Sequence, residues 1–177
     1  ASLWDILLQD WLIVLSAKHP EIALSAEVLS NELLIRRIRD RTLDLAFSYE
    51  TPQLPGVEVV DIASISLIMV SSRAGLDARA AVNRDDYVLV DWGTGFAVAH
   101  AQAFADIRPP RLRFGLGRLA HAFVLERGGS LYLPEAVAKA DLAAGSLHRV
   151  ADAPIMERHA YAVYHSDANR DGLIDQV

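Results

Sequence analysis

The stretch "ELLIRRIRDRTLDLAFSY", Glu32 to Tyr49, decides the fold class. Leu33, Leu34 and Ile38 recur at helical spacing while Arg36, Arg37 and Arg39 turn the other way, and Ser30 or Asn31 stands in front as a capping residue. After a tight turn at Asp40 to Thr42, "LDLAFSY" is a nearly continuous apolar run, the pattern of a strand covered on both faces. Before the helix, "EIALSAEVL", Glu21 to Leu29, alternates as a strand does. Strand, helix and strand with short connections form the unit that builds parallel sheets, so the sequence predicts an α/β fold.

Working outward, Ser2 and Asp5 fit a capping box, and Leu3, Ile6, Leu7, Trp11, Val14 and Leu15 then predict a helix to about Ala17, ended by His19-Pro20. Leu8, Leu12 and Ile13 fill most of its other side. A helix apolar on nearly every side needs a sheet for one face and a partner chain for the other, and a monomer would leave Trp4, Leu8 or Leu12 in water. Downstream of the Pro52–Gly56 loop, "VEVVDIA" and "SISLIMVSS" predict two strands. Arg73 to Asp86 is polar and small. A second series follows: strand "YVLVDW", helix Phe96 to Phe104, strand "RLRFGL", helix Leu119 to Arg127, strand "SLYLP" and helix Glu135 to Ala144. Gly128 and Gly145 close the last two helices, and Pro134 suits a first helical turn. The late strands "LHRV" and "HAYAVYH" have the length to cross back to the first series.

Composition narrows the function. The chain has 177 residues, 52% of them hydrophobic, enough for a real core; 27 are alanine, as in helices lying close on a sheet. Acidic residues outnumber basic ones, 23 to 17, giving a net charge of −6, the wrong sign for a nucleic-acid surface. There is no cysteine, which removes disulfides, thiolate catalysis and cysteine-bound metals. The longest apolar candidate, "LLQDWLIVL", follows Asp5 and contains Asp10, and no basic segment precedes it, so neither a membrane span nor a signal peptide is read there. The expectation is a soluble, cytoplasmic piece of a larger protein, without contact to a membrane.

Catalytic signatures are absent: no G-x-S-x-G, H-E-x-x-H, Walker loop or G-x-G-x-x-G occurs. "GTG" at 93–95 and "GLG" at 115–117 read as strand-to-helix turns, although the helix starting near Thr94 could offer N–H groups to an anion. The six histidines include no i, i+4 pair, and His159 and His165 sharing a strand face make a poor metal site. "DANRDGLID", Asp167 to Asp175, matches the early positions of a calcium loop, but a strand-like segment precedes it and a turn capped by Ser166, Asp167 or Asn169 explains the same residues. The arginines of "RRIRDR" read as a solvated helix face, and Glu50, Asp61 and Asp91 as acids at strand ends. No metal, no cofactor and no catalytic residue is expected.

Taken in order, "ELLIRRIRDRTLDLAFSY", "LIMVSS", "YVLVDWGTGF" and "ERGGSLYLPEAVAKADLAAGSLHRV" (Glu126 to Val150) resemble the effector-binding domain of LysR-type transcriptional regulators, over nearly the whole chain. The resemblance implies two Rossmann-like subdomains joined by two crossover strands, like a type 2 periplasmic binding protein. Subdomain I would be residues 1–73 plus 151–177 and subdomain II residues 74–150. It further implies a small effector in the cleft, carboxylated or otherwise polar, with DNA contacted only through a winged helix-turn-helix domain absent here. A homodimer would form through residues 3–17 and 119–127, and the intact protein could reach a tetramer.

Carried over to this sequence, the resemblance lines the cleft with Ser2 and Leu3, Ser30 and Asn31, and Phe47, Ser48 and Tyr49 on one wall. The other wall would hold Trp92, Gly93 and Thr94 with Gly128, Gly129 and Ser130. Helix N-termini and hydroxyls at strand ends are the chemistry such a crevice needs. Two departures stand out: the family's domain opens with a strand before the first helix, where this sequence begins at Ala1-Ser2, and the C-terminal helix is short. The expected function is effector sensing in a transcriptional regulator; the competing reading is a free-standing solute-binding protein of the same fold serving a transporter.

Overall fold

The computed structural model describes residues 3–169, with Asp5 and Asn169 through their backbone alone, and the chain divides into two units inside its two longest strands. Unit 1 comprises Leu3–Ala63 and the segment from His159 onward; unit 2 is Ser64–Arg158. Ser2 and most of the calcium-like loop lie outside the described residues.

In unit 1 the chain opens with one π-helical turn, Trp4–Leu8, and continues as α1, Gln9–Lys18. The Leu3 carbonyl accepts from the amides of Ile6, Leu7 and Leu8, so this turn is wider than an α-helix, and no side chain caps it. Then come α2 (Asn31–Arg39), β1 (Leu45–Ser48) and the first part of β2 (Val57–Ser71). β1 pairs antiparallel with the end of β7 (Met156–His165), Leu45 opposite Tyr164 and Ser48 opposite Tyr161. Ile38, Ala46 and Val163 form the buried centre, with Leu34, Leu43, Val57, Val59 and Tyr161 around it.

The segment expected as a strand, Glu21 to Leu29, carries no regular structure and is mostly exposed. Alternation is not enough for a strand: its backbone needs a ladder, and among the described residues β1 is hydrogen-bonded only to β7. Trp4, Leu8 and Leu12 are half-buried rather than exposed, because they line a groove of unit 1 with Phe47, whose ring meets Trp11 edge-on at 5.3 Å. The outward apolar residues of α1 are instead Ile13 and Val14.

Unit 2 holds the rest of β2, α3 (Ala78–Val82), β3 (Tyr87–Val90), α4 (Thr94–Ala103), β4 (Leu112–Phe114), α5 (Gly117–Arg127), β5 (Ser130–Pro134), α6 (Glu135–Ala144), β6 (His148–Arg149) and the start of β7. The strand order is β1-β7-β2-β5-β3-β4, with β6 beside β2. β3 runs parallel to β4 and β5, whereas β2 is antiparallel to β5 and β6. Short α3, unexpected from the sequence, is held at its start by two carboxylates: Asp77 accepts from the Ala80 N–H at 2.7 Å and Asp152 from the Ala78 N–H at 2.9 Å.

The two strands expected from "VEVVDIA" and "SISLIMVSS" are one strand of 15 residues, since no Gly or Pro interrupts Val57 to Ser71. This moves the division between units from residues 73 and 151 to 63–64 and 158–159. By Leu67, β2 is already paired with Pro134 of β5, so the stretch up to Ser71 belongs to unit 2. The neighbouring long strands are tied by side chains in both units: Asp61 to His159 Nδ1 at 2.7 Å in unit 1, and Ser66 Oγ donating to Glu157 at 2.8 Å in unit 2. Among the described residues no helix is long and apolar enough to cross a membrane.

Candidate functional site

Each unit presents a polar ledge where a helix starts. In unit 2 the ledge follows β3. Asp91 Oδ1 accepts the Gly93 N–H at 2.9 Å, Gly93 takes φ +88° as the N-cap residue, and α4 begins at Thr94, so the positive end of its dipole is at this ledge. Trp92 is buried and its indole N–H donates to the Tyr132 carbonyl at 3.2 Å, so it supports the ledge from below. Thr94 is exposed on it. Arg158 of β7 lays its guanidinium against Gly95, in the space a Cβ would fill. This places a cation beside a helix N-terminus, two anion-attracting features at one place.

Sequence reasoning missed Arg158. Its neighbours Glu157 and His159 are equally polar and more exposed, and only the strand's position against α4 separates it from them.

In unit 1 the ledge is the start of α2 with the end of β1. Ser30 caps the helix, its side chain accepting from the Leu33 N–H at 3.3 Å. Ser48 Oγ donates to Asn31 Oδ1 at 3.5 Å and accepts the Glu50 N–H at 2.9 Å, which fixes the amide of Asn31. Half-buried Tyr49 follows directly. Phe47 alternates to the opposite face of β1 and, with buried Leu3, lines the apolar groove rather than this ledge.

Gly128, Gly129 and Ser130, expected beside Trp92–Thr94, are at the other end of the strands. The parallel register sets Ser130 next to Tyr87, the first residue of β3, while Trp92–Thr94 follow its last. Their backbone groups are used there: the Gly129 N–H donates to Ser72 Oγ at 3.0 Å, its carbonyl accepts the Ser72 N–H at 2.9 Å, and the N–H of fully buried Ser130 donates to the Asp86 carbonyl at 3.3 Å. No cluster of metal-ligating side chains occurs among the described residues.

Comparison with known proteins sets these ledges in a family. The profile of the LysR substrate binding domain matches residues 1–177. The chain belongs to this family. It is 25% identical over 178 residues to the HTH-type transcriptional regulator HdfR of Escherichia coli K12, an alignment covering 98% of this chain and 61% of that protein. The chain thus spans less than two thirds of the length of the curated relatives it matches. Among solved structures it is similar to the regulatory domain of AphB in Vibrio vulnificus (TM-score 0.71, 18% identity, covering 99% of this chain and 95% of that one). It is also similar to the CrgA regulatory domain from Neisseria meningitidis (TM-score 0.74, 18% identity, 99% and 94% covered). These likenesses establish the fold: an α/β LysR substrate-binding domain of two subdomains linked by crossover strands, like a periplasmic binding protein. It is a regulatory, effector-binding domain, and LysR regulatory domains are not catalysts.

Proposed function

We propose that the chain is the sensing part of a LysR-type regulator acting in the cytoplasm, and that its effector is a small carboxylated metabolite held at the unit 2 ledge. The observation that carries this reading is Arg158 beside the start of α4, a place where a carboxylate gains from a full charge and from the helix dipole together. Ser48, Asn31 and Tyr49 form a separate candidate ledge in unit 1, tested by its own variant. Binding would shift the protein between two arrangements by its differential affinity for them and pass that change to a DNA-binding domain elsewhere in the protein.

The regulator would work as a homodimer through α1 and α5. Ile13 and Val14 on α1, and Leu119 and Leu125 on α5, are large apolar residues exposed in the single chain, and a solitary carrier protein has no use for them. A tetramer of the intact protein would build on the same contact.

Calorimetry against a panel of aliphatic and aromatic acids tests the site. A confirmed ligand should lose about tenfold or more in affinity with Arg158→Gln, and less with Thr94→Ala or Ser48→Ala. If all three variants bind it as tightly as the native chain does, the effector is held elsewhere.

A further inference from the structure

A second cavity, of about 680 Å³, lies wholly within unit 2, between α4 and the β3–β4 part of the sheet. It is of the size and make-up that small-molecule sites have, apolar walls with a few polar groups. Its origin is visible in the sequence. Ala97, Ala101 and Ala105 follow one another at helical spacing and all line it, while Phe96, His100 and Phe104 hold α4 to the sheet through ring contacts with Tyr132. The rings and the alanines both line the cavity, the rings on the sheet side of α4 and the alanines, with Ala105 just past the helix end, toward its mouth.

Three exposed charged side chains border this space, and no ion pair is formed by any of them among the described residues. Arg113 of β4 is registered opposite Leu89 of β3, and both line the cavity. Asp91, two residues on from Leu89 and also lining it, shares that face of the sheet. Asp106, in the loop after α4 and at φ +61°, contributes a second carboxylate. One guanidinium and two carboxylates thus border an open groove with apolar walls. A simple anion would be drawn by Arg113 and opposed by Asp91 and Asp106, and a simple cation would meet the reverse. A molecule carrying both charges on an apolar body satisfies both signs.

We infer that this cavity is a binding site for a zwitterionic ligand with a large apolar side chain, of the amino-acid class. The carboxylate goes to Arg113, the ammonium group to Asp106 and Asp91, and the side chain lies along the alanines of α4. The site borders the ledge through Asp91, which also accepts the Gly93 N–H, but it uses neither Thr94 nor Arg158 and needs no group from unit 1.

L-Phenylalanine is a suitable probe, titrated calorimetrically into the 177-residue chain. Saturable binding is expected, with 3-phenylpropionate and 2-phenylethylamine, each lacking one of the two charges, at least about tenfold weaker. Arg113→Gln, Asp106→Asn and Ala101→Leu should each weaken phenylalanine by about tenfold or more, and Arg158→Gln should leave it within about twofold. The arginine and aspartate variants alter exposed or loop positions, so they remain informative if Ala101→Leu fails to fold. The inference is overturned by the absence of saturable binding up to about 10 mM, by equal affinity for the single-charge analogues, or by loss with Arg158→Gln but not Arg113→Gln. The last outcome would assign the ligand to the ledge and leave the proposed effector site standing.

Discussion

Gly95 and Gly129 both stand where a side chain would collide, and the two collisions differ in kind. A Cβ at Gly95 meets the end of the flexible Arg158 side chain, which can swing away; a Cβ at Gly129 meets the backbone carbonyl of Asp86, in a residue whose φ is +132°. Gly95→Ala should therefore leave the melting temperature almost unchanged while lowering effector affinity about tenfold. Gly129→Ala should destabilise the fold by about 3 kcal/mol, read by denaturant titration. His100 makes the complementary point about charge. Burial first, then the nearby Arg113 guanidinium, holds its pKa below the usual histidine range, and its Nε2 lies 2.8 Å from the Tyr87 hydroxyl. The folded state keeps this ring neutral, so its contribution is complete above about pH 6.5 and is lost as the pH falls toward the depressed pKa. Melting temperature should drop less between pH 7 and pH 5 in His100→Gln than in the native chain. None of these three residues is marked by its neighbours in sequence as the one that matters, because each role depends on an atom far along the chain.

At the scale of elements, legibility followed the strength of local pattern. α2 was readable because its apolar and arginine faces separate cleanly and Ser30 caps it, and β5 because "SLYLP" is buried at every position. The two long strands were harder. Nothing in "VEVVDIASISLIMVS" marks where one unit ends, since a strand shared by two units needs no turn at the border. The opposite error arose at Glu21–Leu29, where a strand-like alternation has no ladder to complete it. Hydrogen exchange separates these cases: amides of residues 23–29 should exchange at close to the rate of an open chain, and those of residues 67–71 in β2 should be the best protected. Protection of 23–29 comparable to β2 would mean the segment finds a pairing partner in solution. The candidate site was half legible for the same reason. Ser30, Asn31, Ser48 and Thr94 are named by caps and turns, whereas excluding Gly128–Ser130 required the parallel register of β3 and β5.

For the whole molecule, the exposed apolar residues of α1 and α5, Ile13, Val14, Leu119 and Leu125, lead us to expect self-association. Sedimentation at micromolar concentration should give a dimer for the native chain and a monomer for the pair Val14→Asp and Leu125→Asp, with unchanged far-ultraviolet dichroism. A monomeric native chain would favour a solitary binding protein. The single-sided pairing of β1 has its own consequence. Among the described residues β1 pairs on one side, and a strand edge of that kind is a template on which a further strand can pair. Two things blunt it here: β1 is only four residues long, and Asp44 and Glu50 flank it with charge. The second protection is electrostatic and works only while it is unscreened, so concentrated salt would favour precipitation of a domain that stays dispersed in dilute buffer.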